Sequence, residues 1–319
     1  MKKKMIAAVC MAAVSLMVMG CGGSAEAAAQ DGSQMGQESQ DTAQESEEAA
    51  DGAAEDAQGS EEAADGAAED AQGSEAESEP LQLDGKTISI LGDSISTFYG
   101  HNPEGYAIFY PEYGEVKAVE ATWWQRVIDD LGLTLYKNGS SAGATAVGDS
   151  TGTEDPLCAC NELRTGALMG AAGACPEIII VFLGTNDLLN GVSIGTNDGT
   201  MLVEEGEITT FSDAYTLMLD KLLAGYPPAE IYCCTLLPVG DYGTQTPYVD
   251  FVTTDGLTAA DYSRTIVQIA ENKGLVVVDL QDCGITIDNL AEMTTDGVHP
   301  TADGMACIAE AVKRALVGR

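Results

Sequence analysis

Residues 177–187 read EIIIVFLGTND, six consecutive apolar side chains that run into a Gly-Thr-Asn-Asp turn. β-Branched and aromatic residues favour strands, and a run without polar alternation must be buried on both faces. That is the pattern of an inner strand in a parallel sheet covered by helices on both sides. Working outward from Glu177–Leu183, similar strands are predicted at Lys86–Leu91, Leu133–Lys137, Glu230–Leu236 and Leu275–Leu280. Helical patterns fall between them, near 121–131, 158–172, 211–225 and 257–273. A last helix is predicted at about 302–317, with Met305, Ile308, Ala309, Val312 and Leu316 on one face. Strands and helices in alternation predict an α/β fold, a three-layer α/β/α sandwich with a five-stranded parallel sheet. In such sheets a site lies beyond the carboxyl ends of the strands.

The N-terminal part of the chain is unlike this domain. Residues 1–21 begin with Lys2, Lys3 and Lys4 and continue through an apolar stretch from Met5 to Met19. This is the layout of an export signal, too short for a stable membrane span. It closes on Val18-Met19-Gly20-Cys21, which resembles the lipobox of bacterial lipoproteins. The resemblance implies lipidation of Cys21 and anchorage at the extracytoplasmic face of the cell membrane. Ordinary signal cleavage near Ala27-Ala28-Ala29 is the competing reading.

Residues 22–80 hold eighteen Asp or Glu, no Lys or Arg and no aromatic residue, and 47–60 (EEAADGAAEDAQGS) recur unchanged as 61–74. So little apolar bulk cannot offset the entropy of ordering, and a repeat whose only apolar side chain is Ala has no coiled-coil seam. The segment is predicted to be a disordered acidic tether, averaging about 40–45 Å end to end as a flexible coil.

Residues 81–319 suffice for one domain with a substantial core. Of the chain's net charge of −37, −22 belongs here, from 33 acids against 11 bases. Such a surface repels nucleic acid and anionic headgroups and suits neutral or cationic substrates, although solubility alone would account for it. Seven cysteines, at 158, 160, 175, 233, 234, 283 and 307, form no regular disulfide framework. Cys158-Ala159-Cys160 could contribute to a metal site, but zinc takes about four ligands. The chain offers only two histidines, and no metal is expected.

Those two, His101 and His299, limit the candidate general bases. His299 sits in Asp296-Gly297-Val298-His299-Pro300, directly before the last helix. A carboxylate three residues back can accept the imidazole N–H and hold its tautomer. Two serines compete as nucleophile. Ser94 follows Gly92-Asp93 at the end of the first strand, whereas Ser141 lies in Gly139-Ser140-Ser141-Ala142-Gly143, which fits the G-x-S-x-G elbow of α/β-hydrolases. Only two strands precede Ser141 and no HGGG-type loop lies upstream, so Ser94 is preferred. Asn186, in the turn after the strongest strand, can donate to an oxyanion, a contact worth about 3–4 kcal/mol in a transition state. The same tetrapeptide recurs as Gly195-Thr196-Asn197-Asp198 with no strand before it, and reads as loop.

Taken together, Gly92-Asp93-Ser94, Asn138 to Gly143, Gly184 to Asp187 and Asp296 to His299 resemble the sequence blocks of the SGNH (GDSL-like) hydrolases. They occur in order and span the domain from Lys86 to the final helix. The second block carries Ala142 where many members have Ser. The resemblance implies a flavodoxin-like sandwich and a serine esterase, with Ser94 as nucleophile, His299 as general base and Asp296 as its orienter. It also implies an oxyanion hole made by the backbone N–H groups of Ser94 and Gly143 and the side chain of Asn186. It implies no metal and no organic cofactor.

Asp93 and Asp187 are read as turn residues that bond backbone. Residues 98–113 (FYGHNPEGYAIFYPEY) place six aromatic side chains just after Ser94. They either contact substrate, with Tyr99 and His101 as candidates, or pack over the sheet edge. Trp123-Trp124 opens a helix and reads as core. The expectation is a monomeric, membrane-anchored esterase acting on a small-molecule or glycan ester, such as an O-acetylated carbohydrate. The alternatives are a lipase, thioesterase or acyltransferase with the same machinery, or a non-catalytic glycan-binding lipoprotein.

Overall fold

The computed structural model describes residues 83–241 and 246–318. The export signal, Cys21 and the acidic tether lie outside the described residues. Strands β1 (Thr87–Gly92), β2 (Thr134–Asn138), β3 (Ile178–Phe182), β4 (Glu230–Cys234) and β5 (Val276–Val278) form one parallel sheet in the order β2-β1-β3-β4-β5. All five fall where the apolar runs place them, differing by one or two residues at their ends.

The doubly apolar strand is the centre of the sheet. β3 pairs with β1 on one side and β4 on the other, and every residue in it is buried. Its side chains alternate between two cores. Ile178, Ile180 and Phe182 face helices α1 (Trp123–Leu131) and α4 (Ala302–Val317), with Trp123 and Trp124 fully buried among them. Ile179, Val181 and Leu183 face α2 (Phe211–Gly225) and α3 (Ala259–Asn272). The molecule is therefore a three-layer α/β/α sandwich.

Local chemistry sets the helix ends. Thr122 caps α1 by accepting from the Gln125 N–H, and Gly132 closes it at φ +66°. Thr258 and Asp261 form a capping box on α3, and Thr301 caps α4.

One expectation fails. The helix predicted over 158–172 is a single turn, Glu162–Thr165, followed by irregular backbone. Its first residues are committed elsewhere: Thr145 N–H bonds Leu157 O at 2.9 Å, and Ala159 N–H bonds Thr145 O at 2.8 Å. The segment 157–159 thus runs extended beside 145 and cannot coil. Gly166 ends the turn, and Gly170 lies where a Cβ would meet the Tyr136 ring at 2.5 Å. A two-stranded antiparallel ribbon, Gly148–Asp149 with Glu207–Ile208, also lacked a sequence signal because each strand has only two residues.

The order β2-β1-β3 makes β1/β3 the point where the chain switches direction across the sheet. The loops leaving β1 and β3 therefore diverge there and open a crevice at their carboxyl ends. Gly184, in the loop after β3, has φ +123°, and a Cβ there would meet Phe211 at 3.1 Å and Leu236 at 3.2 Å. Gly184→Ala should lower unfolding stability by about 1–3 kcal/mol, measured by urea denaturation. An unchanged midpoint would show that this turn relaxes freely.

Candidate active site

Three loops at the carboxyl ends of β1, β2 and β3, and the turn before α4, meet in this crevice. β1 ends at Gly92, where a Cβ would lie 2.8 Å from Ser140 Oγ and 2.9 Å from Ser96 Oγ. Only glycine admits that approach of the β2 loop. Asp93 follows and accepts the Ile95 N–H at 3.0 Å, closing the short helical turn Ser94–Ser96. Ser94 is thereby presented at the first position of a turn, with its backbone N–H bonded to no group among the described residues.

His299 arrives from the other end of the domain. Asp296 Oδ1 accepts the backbone N–H groups of His299 at 2.8 Å and Val298 at 3.1 Å. That leaves Oδ2 for His299 Nδ1, also at 2.8 Å. His299 Nε2 then lies 2.9 Å from Ser94 Oγ. Burial raises the Asp296 pKa, but the hydrogen bond from the His299 ring, its charge and the two backbone bonds outweigh it, so the carboxylate is held below its ordinary value. Both Ser94 and His299 are buried, and Phe109 stacks on the imidazole with centroids 3.6 Å apart and planes 9° apart.

The β2 loop is tied to the Ser94 loop at several points. Asn138 Nδ2 donates to Ser96 O at 2.8 Å, and the Ser141 N–H donates to Gly92 O at 3.2 Å. Gly143 follows at φ +80°, exposed, with an N–H that bonds no group among the described residues. Ser141, the competing nucleophile, is fully buried and its Oγ accepts the Ala107 N–H at 3.2 Å. The His299 ring bonds Ser94 instead.

From the β3 loop, Asn186 Nδ2 donates to Ala144 O at 2.9 Å, which orients the amide and leaves its second N–H for another acceptor. Asp187 accepts the N–H groups of Ala146 at 2.8 Å and Val147 at 3.3 Å, holding the far side of the same loop. The second Gly-Thr-Asn-Asp copy does none of this. Asn197 bonds Gly199, Met201 and Asp213 within its own neighbourhood, and Asp198 bonds Thr200.

Residues 86–241 match the family model of GDSL-like Lipase/Acylhydrolase. A crystal structure described as a GDSL-like lipase from Bacteroides ovatus is 26% identical, with a TM-score of 0.53, over 74% of this chain and 100% of that one. Residues 86–241 are thus similar to a GDSL-like lipase/acylhydrolase domain. The protein is an ester-acting hydrolase. A similar structure from Bacteroides uniformis is 27% identical, covering 74% of this chain and 97% of that one at a TM-score of 0.53. A third, from Lactobacillus plantarum, is 20% identical over 74% of this chain and 99% of that one, and its TM-score of 0.55 speaks to the fold. No curated protein matches the chain.

The GDSL-like match contains Ser94, Gly143 and Asn186, while Asp296 and His299 lie beyond it. Of the other sequence candidates, Tyr99 stands 75% exposed, its backbone N–H bonded to Tyr110 O. His101 turns its exposed ring to Phe98 and Trp124 and makes no hydrogen bond to Ser94 or His299. The aromatic segment packs inward through Phe109 and Tyr110 and leaves Tyr99 exposed. Cys158 and Cys160 are buried with their sulfurs 3.5 Å apart. Among the described residues no group of three or more His, Cys, Asp or Glu side chains is placed to hold a metal ion.

Sequence reasoning did not single out Phe109, since nothing in a row of aromatics marks the one that meets the histidine. Asn102 also escaped it. Its Oδ1 accepts the Phe98 N–H at 2.8 Å while its Nδ2 donates to Ser140 O at 3.0 Å, fastening the aromatic segment to the β2 loop.

Burial lifts Asp187 to about 7 against its backbone N–H bonds, and lifts Asp93 to about 6. Each keeps in the fold a proton that the unfolded chain releases at its ordinary, lower pKa. Stability is therefore lost as pH rises between the unfolded and folded values. The melting temperature of the GDSL-like domain should fall from about pH 4 to about pH 7, and less steeply in Asp187→Asn. Identical slopes in calorimetry would show that Asp187 stays ionised throughout.

Proposed function

We propose that this domain is an extracytoplasmic serine esterase that works through an acyl-enzyme on Ser94. The observation that carries the proposal is the hydrogen-bonded line from Ser94 Oγ to His299 Nε2 at 2.9 Å and from His299 Nδ1 to Asp296 Oδ2 at 2.8 Å. With Nδ1–H donating to Asp296, Nε2 is the acceptor for the serine proton. Ser94 Oγ attacks the ester carbonyl as His299 takes that proton. Collapse of the tetrahedral intermediate expels the alcohol, which receives the proton from His299. Water, deprotonated by the same imidazole, then releases the acid and restores Ser94. These steps need no metal or organic cofactor.

Charge on the tetrahedral oxygen is met by the N–H groups of Ser94 and Gly143 and by the second N–H of Asn186. The uncommitted state of both backbone donors supports this assignment. The stacked Phe109 holds the imidazole plane.

The proposed substrates are short acyl esters on carbohydrate, O-acetyl groups above all. The exposed Tyr99 ring, five residues after Ser94, supports this, because an exposed aromatic face can stack on a sugar, and the acidic surface disfavours anionic lipid. Lipidation at Cys21 and the 22–80 tether would hold the enzyme at the outer face of the membrane, within reach of surface glycans.

A fluorophosphonate probe should label the wild type and Ser141→Ala but not Ser94→Ala. Label surviving Ser94→Ala would move the nucleophile elsewhere. Asp296→Asn should lower kcat by about 10³–10⁴, because the amide reverses the preferred tautomer of His299. Across acetate, butyrate and octanoate esters and acetylated sugars, kcat/KM should be highest for acetyl groups. A preference for octanoate would replace the deacetylase with a lipase.

A further inference from the structure

We propose that Arg164 is a positioning residue that sets the spacing of the oxyanion hole, an inference that rests on the serine-esterase reading above. Arg164 is 1% exposed. Burying a guanidinium is costly unless its donors are satisfied, and the usual solution is a carboxylate. Among the described residues Arg164 forms no salt bridge. Its side chain donates instead to three backbone carbonyls: Nη2 to Gly92 O at 2.8 Å, Nε to Gly139 O at 3.1 Å, and Nη1 to Pro156 O.

Those carbonyls come from three separate pieces of the site. Gly92 is the last residue of β1, two before Ser94. Gly139 heads the turn that ends in Gly143. Pro156 precedes Leu157, whose Cδ2 lies 3.8 Å from where a Cβ on Gly143 would sit. The two backbone donors assigned to the oxyanion hole therefore hang from loops that a single rigid fork joins. The guanidinium is planar with fixed N–H directions, so it constrains the separation of Gly92 O and Gly139 O as a flexible ammonium cannot.

Further features aim and cover the group. Asn161 Oδ1 accepts the Arg164 N–H at 2.9 Å and starts the single helical turn that carries it. The Tyr106 ring, from the aromatic segment, lies 5.5 Å from the guanidinium carbon. Burial pulls the Arg164 pKa down to about 10, which still leaves it charged at neutral pH.

Oxyanion donors act only when they lie about 2.7–3.1 Å from the developing charge, and a misplacement of about 1 Å costs on the order of 100-fold. The test uses the full chain with p-nitrophenyl acetate, the rate being normalised to folded sites by fluorophosphonate titration. Arg164→Lys keeps the charge but cannot span three carbonyls. Its kcat should fall about 100-fold while KM changes by less than about threefold, the signature of an interaction realised in the transition state. A kcat per titrated site within about threefold of wild type would overturn the proposal, because the hole would then hold its spacing without the fork. If Arg164→Lys does not accumulate folded, Asn161→Ala loosens the same side chain from outside the site. A loss of about tenfold in kcat at constant KM is then expected, and no loss overturns the inference. An inactive wild type would instead sink the esterase reading, so the two failures are distinguishable.

Discussion

The hydrogen bond between His299 Nε2 and Ser94 Oγ joins residues 205 positions apart, and much of the fold serves to make it possible. Ser94 is delivered by the end of β1, and His299 by the turn before α4. The two meet because α4 packs on the same sheet face as α1, against Ile178, Ile180 and Phe182 of β3. The isolated turn has its own logic: Asp296 binds two backbone N–H groups with one oxygen and the imidazole with the other. Its position against β1 depends on the core. Tyr110 closes that arrangement, its hydroxyl donating to Pro300 O at 2.9 Å across 190 residues.

Around this bond the loops are stiffened by buried polar groups rather than by regular structure. Asp187 holds Ala146 and Val147, Asn138 holds Ser96, and Asn102 holds Phe98 and Ser140. Arg164 belongs to the same class, with the difference that its three acceptors are all backbone carbonyls of the site. Buried polar networks of this kind cost desolvation and return definition: each loop has few alternative positions once its donors and acceptors are matched. The raised pKa values of Asp93 and Asp187 are the electrostatic trace of that cost.

The elements legible beforehand were those whose signal is local. A run such as Ile178–Leu183 can only be an inner strand, and α3 and α4 carry amphipathic patterns with capping threonines at their starts. The expected helix at 158–172 misled because Ala, Leu, Glu and Arg suit a helix, while the demand on 157–159 came from the remote Thr145. Arg164 was hidden by the same error. Placed on a surface helix, a lone arginine carries no message.

The amino-acid sequence by itself determined the layers, the parallel sheet and the residues able to do chemistry, because strand burial, helix periodicity and short motifs at strand ends are written within a few consecutive positions. The sequence preferred Ser94 to Ser141, but tertiary structure alone decided the distance from either serine to the histidine, which aromatic ring stacks on it, and which carbonyls Arg164 joins. Each of these is a contact between segments distant in the chain, set by how the loops pack beyond the sheet, and no local pattern encodes a distance across a crevice.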